Sequence, residues 1–101
     1  MIARTWTGRT TPENAAAYLR HVKENVLPAL REIPGFRGAQ ILRRKSGQRV
    51  EYMVVTRWDS LAAIRAFAGD DPDKAVVEPP ARAVLAEFDD CVRHFEVTYE
   101  G

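Results

Sequence analysis

The sequence holds one cysteine, two histidines and no unbroken apolar run longer than Ala15–Leu19. Each scarcity excludes something. A lone Cys91 cannot close an intrachain disulfide, and Asp89 and Asp90 just before it disfavour a thiolate, so Cys91 reads as buried filler. The apolar runs fall far short of the roughly 18 residues a membrane span needs, and the opening MIARTWTGRT lacks the apolar stretch of a signal peptide, so no membrane partner and a cytoplasmic location are expected. Neither sign of charge predominates. With 15 Lys and Arg against 14 Asp and Glu, the formal charge of +1 calls for no polyanionic partner, and no nucleic acid is expected. There is no phosphate-binding glycine loop, dinucleotide fingerprint, zinc-spaced histidine pair or strained serine elbow. Asp70-Asp71-Pro72-Asp73 lacks the spacing and closing Glu of a calcium loop, so no metal site is expected.

What is present suits one globular domain. The chain of 101 residues is 46% hydrophobic and 29% charged, enough for a single core over residues 1–101 with no linker. Charge is uneven along it: Arg37, Arg43, Arg44, Lys45 and Arg49 crowd one segment that reads as a solvated turn.

Ile2–Arg9 is rich in β-branched and aromatic residues and fits a strand. Thr11-Pro12-Glu13 signals a helix start, and Ala15, Leu19, Val22, Val26 and Leu30 then fall on one helical face. Pro28 should bend or interrupt that helix, and Pro34-Gly35 closes it. FRGAQILRRK and RVEYMVVTRW, separated by Ser46-Gly47-Gln48, predict a hairpin. Ser60 is a candidate cap for a short helix carrying Leu61, Ile64 and Phe67 and ending at Gly69. Ala81, Val84, Leu85 and Phe88 predict a further helical face, and Cys91–Glu100 a last strand.

The order is β-α-β-β-α-β, which predicts an α+β, ferredoxin-like, four-stranded antiparallel sheet with helices on one face. In RVEYMVVTRW, one face carries Val50, Tyr52, Val54, Thr56 and Trp58, the other Glu51, Met53, Val55 and Arg57. The run is apolar on both sides along its middle, and the helices can cover only one of them. A homodimer formed through the second sheet face is therefore expected.

IPGFRGAQILRR, VVTRWDSLAAIRAFAG and the closing RHFEV together resemble the antibiotic biosynthesis monooxygenase (ABM) family of dimeric α/β barrels, over nearly the whole chain. The resemblance implies a pocket between sheet and helices in each subunit and divided functions. Some members are cofactor-independent monooxygenases acting on phenol- or quinol-type aromatics, some bind and cleave haem, and many have no established activity. The haem-degrading branch, as the resemblance implies, uses an Asn on the first strand, a Trp matched by Trp58 and a His on the following helix. Here the first strand offers Arg4 and Trp6, and Phe67–Val77 contains no His. The expectation is thus a monooxygenase without cofactor that takes a small aromatic or polycyclic phenol or quinol. Haem held by His94 or His21 is one alternative, and a non-catalytic small-ligand-binding homodimer is another.

The site residues follow from that reading. His94 is the candidate base and Trp58 the aromatic wall on which a flat ligand stacks. Tyr52, Arg4, Trp6, His21 and Phe67 are candidates to line the cavity, with Arg4 stabilising a phenolate. Each has an ordinary alternative as core, interface or boundary residue.

Overall fold

Apolar residues on alternate positions give three long strands, β1 (Ile2–Thr10), β2 (Phe36–Ser46) and β3 (Arg49–Trp58), in the computed structural model, which describes residues 1–101. Strand β3 runs antiparallel to β1, from Trp58 opposite Ile2 to Val50 opposite Thr10, and antiparallel to β2 in a hairpin. It therefore fills the gap between two parallel strands, as the expected topology requires. Two short strands, β4 (Leu85–Phe88) and β5 (Arg93–Glu96), pair antiparallel with opposite halves of the other edge of β1. The fold is α+β and ferredoxin-like, and its antiparallel sheet has five strands because the last one is broken in two.

That break corrects three sequence expectations. Leu85 and Phe88 are not helical: α4 (Pro79–Val84) stops where Leu85 turns extended, and the Thr10 hydroxyl donates to the Val84 carbonyl, satisfying one of the acceptors a helix end leaves free. Pairing with Gly8 and Thr10 then covers an edge of β1 that would otherwise be open. The last strand is Arg93–Glu96 rather than Cys91–Glu100. Cys91 is exposed, since it lies in the break, where its backbone bridges Lys74.

The first helix behaves as its sequence predicts. The Thr11 hydroxyl caps α1 (Pro12–His21) by accepting from the Asn14 amide, and the expected stripe runs on past its end, with Ala15, Val22 and Leu30 buried, Leu19 and Val26 half-buried and Tyr18 buried beside them. Pro28 is accommodated by a π-helical turn, Val22–Val26, in which the Leu27 amide reaches back to the Val22 carbonyl before α2 (Leu27–Arg31) resumes. After β3, Ser60 caps α3 (Leu61–Ala68) by accepting from the Ala63 amide. Gly35 lets this helix approach: its φ is +93°, and a Cβ there would stand 2.7 Å from that of Ala63.

The inner sheet face meets the helices in two clusters. One gathers Ala15, Tyr18, Val22, Val50, Tyr52 and Ala81, and the other Leu30, Trp58 and Ile64. On the outer face Leu42, Met53 and Phe95 are 46%, 37% and 51% exposed. Neighbouring Glu51 accepts from Arg44 (2.6 Å) and Arg9 (3.0 Å). The Arg44 hydrogen bond, opposed by desolvation and helped by the charges of both arginines, holds the Glu51 carboxyl below its ordinary 4.5. A depressed carboxylate contributes stability that is present above its unfolded pKa and lost as pH falls through the folded value. Glu51→Gln is accordingly expected to lower the melting temperature at neutral pH and to lower it less at an acid pH well below 4.5, where wild type loses the same contribution. Thermal melts at the two pH values measure this.

Candidate functional site

The inner face of β3 reads Val50, Tyr52, Val54, Thr56, Trp58, two large rings separated by two small side chains. Tyr52 and Trp58 fill the spaces under their own helices, 1% and 0% exposed, and between them the layers do not close. The result is an open-mouthed cleft with an enclosed volume of about 80 Å³. Arg4 and Trp6 of β1 with Val54 and Thr56 form its floor, and Tyr18, His21, Val22, Val26 and Leu30 its roof. Phe67, the Val76–Glu78 segment, Ala81 and Val92 make the sides. The walls are mostly apolar, with a few polar groups converging on them, as small-molecule sites usually are.

His21 is the polar group of greatest interest. It ends α1, is 7% exposed, and its Nδ1 lies 3.1 Å from the Asn25 side-chain nitrogen across the π-helical turn. Its Nε2 is buried without a hydrogen-bond partner. The Glu78 carboxylate is 3.9 Å from that nitrogen, within ion-pair range and beyond hydrogen-bond reach. Glu78 is half-exposed and stands before Pro79 at the start of α4.

Arg4 is 5% exposed in the cleft floor and donates to the carbonyls of Pro72 (2.7 Å) and Lys74 (3.2 Å). Its guanidinium stands 5.6 Å from the centre of the Phe67 ring. Burial pushes its pKa down from the usual value, and the charge of Asp73 opposes this. Arg4 thus fastens the segment that carries Val76 and Val77 against the sheet. Tyr18 is no base: burial first, then the neighbouring Tyr52, pushes its hydroxyl well above the ordinary phenol range.

Four sequence candidates, Arg4, Trp6, His21 and Phe67, come together in the cleft, and three do not. Trp58 is core: its indole nitrogen donates to the Thr56 hydroxyl at 2.8 Å, and Phe67 stacks between it and the cleft, with centroids 6.1 Å apart. The aromatic wall is therefore Phe67, facing Trp6 of β1. Tyr52 lies under α1 with its hydroxyl donating to the Ala15 carbonyl at 3.3 Å. His94 stands outside the lining, with Nδ1 3.1 Å from Asp73 and Nε2 3.5 Å from Arg4, so its ring helps to hold the 72–74 segment. Sequence reasoning passed over Glu78, Val54 and Thr56. The signal for the last two was the small pair between large rings, while Glu78 sits in a proline-flanked stretch with no periodicity.

A family profile described as antibiotic biosynthesis monooxygenase matches residues 1–79. The chain belongs to that family. No curated protein matches the sequence. Among solved structures, the haem degrader MhuD of Mycobacterium tuberculosis with two haems in its active site is 25% identical, with a TM-score of 0.63 over 100% of this chain and 99% of that one. The heme-free structure of the same protein is 27% identical, with a TM-score of 0.62 over 100% and 96% of the two chains. A Streptomyces coelicolor monooxygenase from the gene ActVA-Orf6, in complex with Nanaomycin D, is 21% identical, with a TM-score of 0.63 over 99% and 88%, a likeness that carries the fold. Like other ABM chains in architecture, this one has no helix long and apolar enough to cross a membrane.

Proposed function

We propose that this ABM chain is an oxidoreductase that binds a small aromatic phenol or quinol in the cleft and oxidises it with dioxygen. The observation that carries the reading is the cleft itself, an apolar space with Trp6 and Phe67 in its walls and few polar groups to orient a ring. Enclosure strips water from the bound phenol, and the Arg4 charge in the floor favours its anion. The anion gives an electron pair to dioxygen at a ring carbon. One oxygen atom stays as a new carbonyl, and the other leaves as water with the hydrogens of the O–H and the C–H.

Oxygen uptake with naphthohydroquinones under air tests this. The expected result is uptake above autoxidation that is abolished when Val54→Trp fills the cleft floor. Uptake equal to that of protein-free buffer for every quinol would overturn it.

Haem is a second reading, favoured by the 25% identity to a haem degrader and by the unpaired His21 nitrogen. His21 Nε2 is the atom that would hold a haem iron, and Trp6 and Phe67 would be among the cleft walls beside it. A bound haem would supply the iron that activates dioxygen. A Soret band that appears stoichiometrically in wild type and is lost in His21→Ala would favour this reading over the first.

The exposed Leu42, Met53 and Phe95, with half-buried Val55 and Ala3 among them, support a homodimer through the outer sheet face. Met53→Lys is expected to convert a dimer into a monomer in analytical ultracentrifugation. An unchanged sedimentation coefficient would place the interface elsewhere.

A further inference from the structure

A buried imidazole nitrogen without a partner is uncommon, because leaving a desolvated polar group unsatisfied is destabilising. His21 Nε2 is such a group, on a side chain that lines the cleft. The tautomer is assigned as the one that the two neighbours favour. The Glu78 carboxylate, 3.9 Å from Nε2, favours a proton there, which leaves Nδ1 as the acceptor for the Asn25 amide NH2 at 3.1 Å. Nε2–H and Glu78 Oε1 thus form a donor and an acceptor too far apart to satisfy one another. An oxygen atom about 2.8 Å from each, an ordinary hydrogen-bond length, would see the two at close to a right angle. A hydroxyl oxygen can serve both, accepting from Nε2–H and donating its own proton to Glu78.

We propose that His21 and Glu78 form a clamp for a single hydroxyl oxygen, by which the cleft selects phenol and quinol ligands over their ethers and quinones. The proposal rests on the phenol-binding reading of the same cleft and says how it recognises the reacting group. A methyl ether has no proton for Glu78, and a quinone carbonyl both lacks the proton and turns its lone pairs toward the carboxylate. Sites built to hydrogen-bond a hydroxyl reject analogues lacking it, because their own polar groups are left unpaired. On this geometry the clamp also releases an oxidised product: when the O–H becomes C=O, the Glu78 hydrogen bond turns into a repulsion. Asn25 is a positioning residue that fixes the ring through Nδ1. Arg4 and Tyr18 are the other titratable groups in the lining, and neither is within hydrogen-bond distance of the His21 ring.

The test is binding of naphthol, methoxynaphthalene and naphthoquinone, followed by quenching of tryptophan emission, since Trp6 lines the cleft. A Cys91→Ser background prevents the exposed thiol from adding to the quinone. Wild type is expected to bind naphthol about tenfold more tightly than either analogue, a difference of about 1.4 kcal/mol. In Glu78→Gln the amide NH2 can donate to a carbonyl, so naphthoquinone binding is expected to strengthen and the preference for naphthol over it to vanish. His21→Phe is expected to erase the preference over both analogues while apolar binding persists. Thermal melts confirm that each variant is folded. Equal wild-type affinity for naphthol and its ether, or an unaltered naphthol-to-quinone ratio in Glu78→Gln, would overturn the clamp and leave the phenol cleft standing. No binding of any of the three would overturn the reading of the cleft itself.

Discussion

Trp58→Ala is expected to destabilise the protein by about 3–5 kcal/mol, the usual cost of emptying a large aromatic site in a packed core. For a domain near 100 residues this is a fall of roughly 15–30 °C in melting temperature, readable by calorimetry. The expectation follows from what the indole touches. Its ring is fully buried, meets Phe36 edge-on at 5.2 Å and Phe67 in a stack at 6.1 Å, and shares a cluster with Leu30 and Ile64. Its nitrogen is satisfied internally by Thr56. A catalytic or ligand-stacking tryptophan would behave otherwise. Trp58→Phe keeps most of the volume, so it is expected to recover much of the stability and to leave naphthol affinity within about twofold of wild type. Phe67→Ala, by contrast, removes cleft wall and is expected to weaken naphthol binding while costing less stability than Trp58→Ala.

The second large effect concerns Arg4. Arg4→Met removes hydrogen bonds to two carbonyls at once, each made by a charged donor, and is expected to cost about 2–4 kcal/mol. The loss has a place. Without the guanidinium, the 72–74 segment keeps backbone links from Ala75 to Asp90 and from Val92 to Asp73, each 2.8 Å, but nothing ties it to β1. The wall formed by Val76 and Val77 then keeps the Asp73–His94 contact and the Arg82 hydrogen bond to the Val77 carbonyl, but loses its tie to β1. Amide hydrogen exchange is expected to rise in residues 71–78 well before it rises in β1 or β3, and naphthol affinity is expected to fall together with it. Unchanged exchange in that segment would mean that Arg4 is not its fastening.

Most of the fold was legible because it is written in periods and punctuation. Thr11-Pro12, Ser60 and Gly69 mark helix ends by hydrogen bonding and backbone freedom that any chain context preserves. The alternation of β3 fixed its two faces, since a one-residue slip would turn Tyr52 and Trp58 to solvent. Pro28 announced an interruption, although not that a π-helical turn would absorb it. The end of the chain was not legible in the same way. Ala81, Val84, Leu85 and Phe88 have helical spacing, and what stops the helix is a contact distant in sequence, the Thr10 hydroxyl on the Val84 carbonyl, together with the free edge of β1.

The site was legible by half for the same reason. Arg4, Trp6 and His21 entered as candidates through the family resemblance, since period alone did not fix the register of β1 or turn His21 from the edge of the α1 stripe into the cleft. Whether an inward ring lines a cavity or plugs it depends on what stands above it. Trp58 and Phe67 are nine residues apart in sequence and stack in space, and only the outer one of the two reaches the cleft. His94 offered a plausible base on sequence grounds, yet both its ring nitrogens face groups of the 72–74 fastening. Glu78 carried no signal until α4 placed it opposite His21.

The central claim is that the cleft between β1, β3 and the first helix is where a small aromatic ligand binds. Methyl resonances test it most directly, because Val22, Val54, Val76 and Val77 lie in the cleft while Leu42, Met53 and Val55 lie on the outer sheet face. On titration with naphthol the first group is expected to shift saturably and the second to stay in place. Shifts confined to Leu42, Met53 and Val55, or no saturable shift anywhere, would contradict the account.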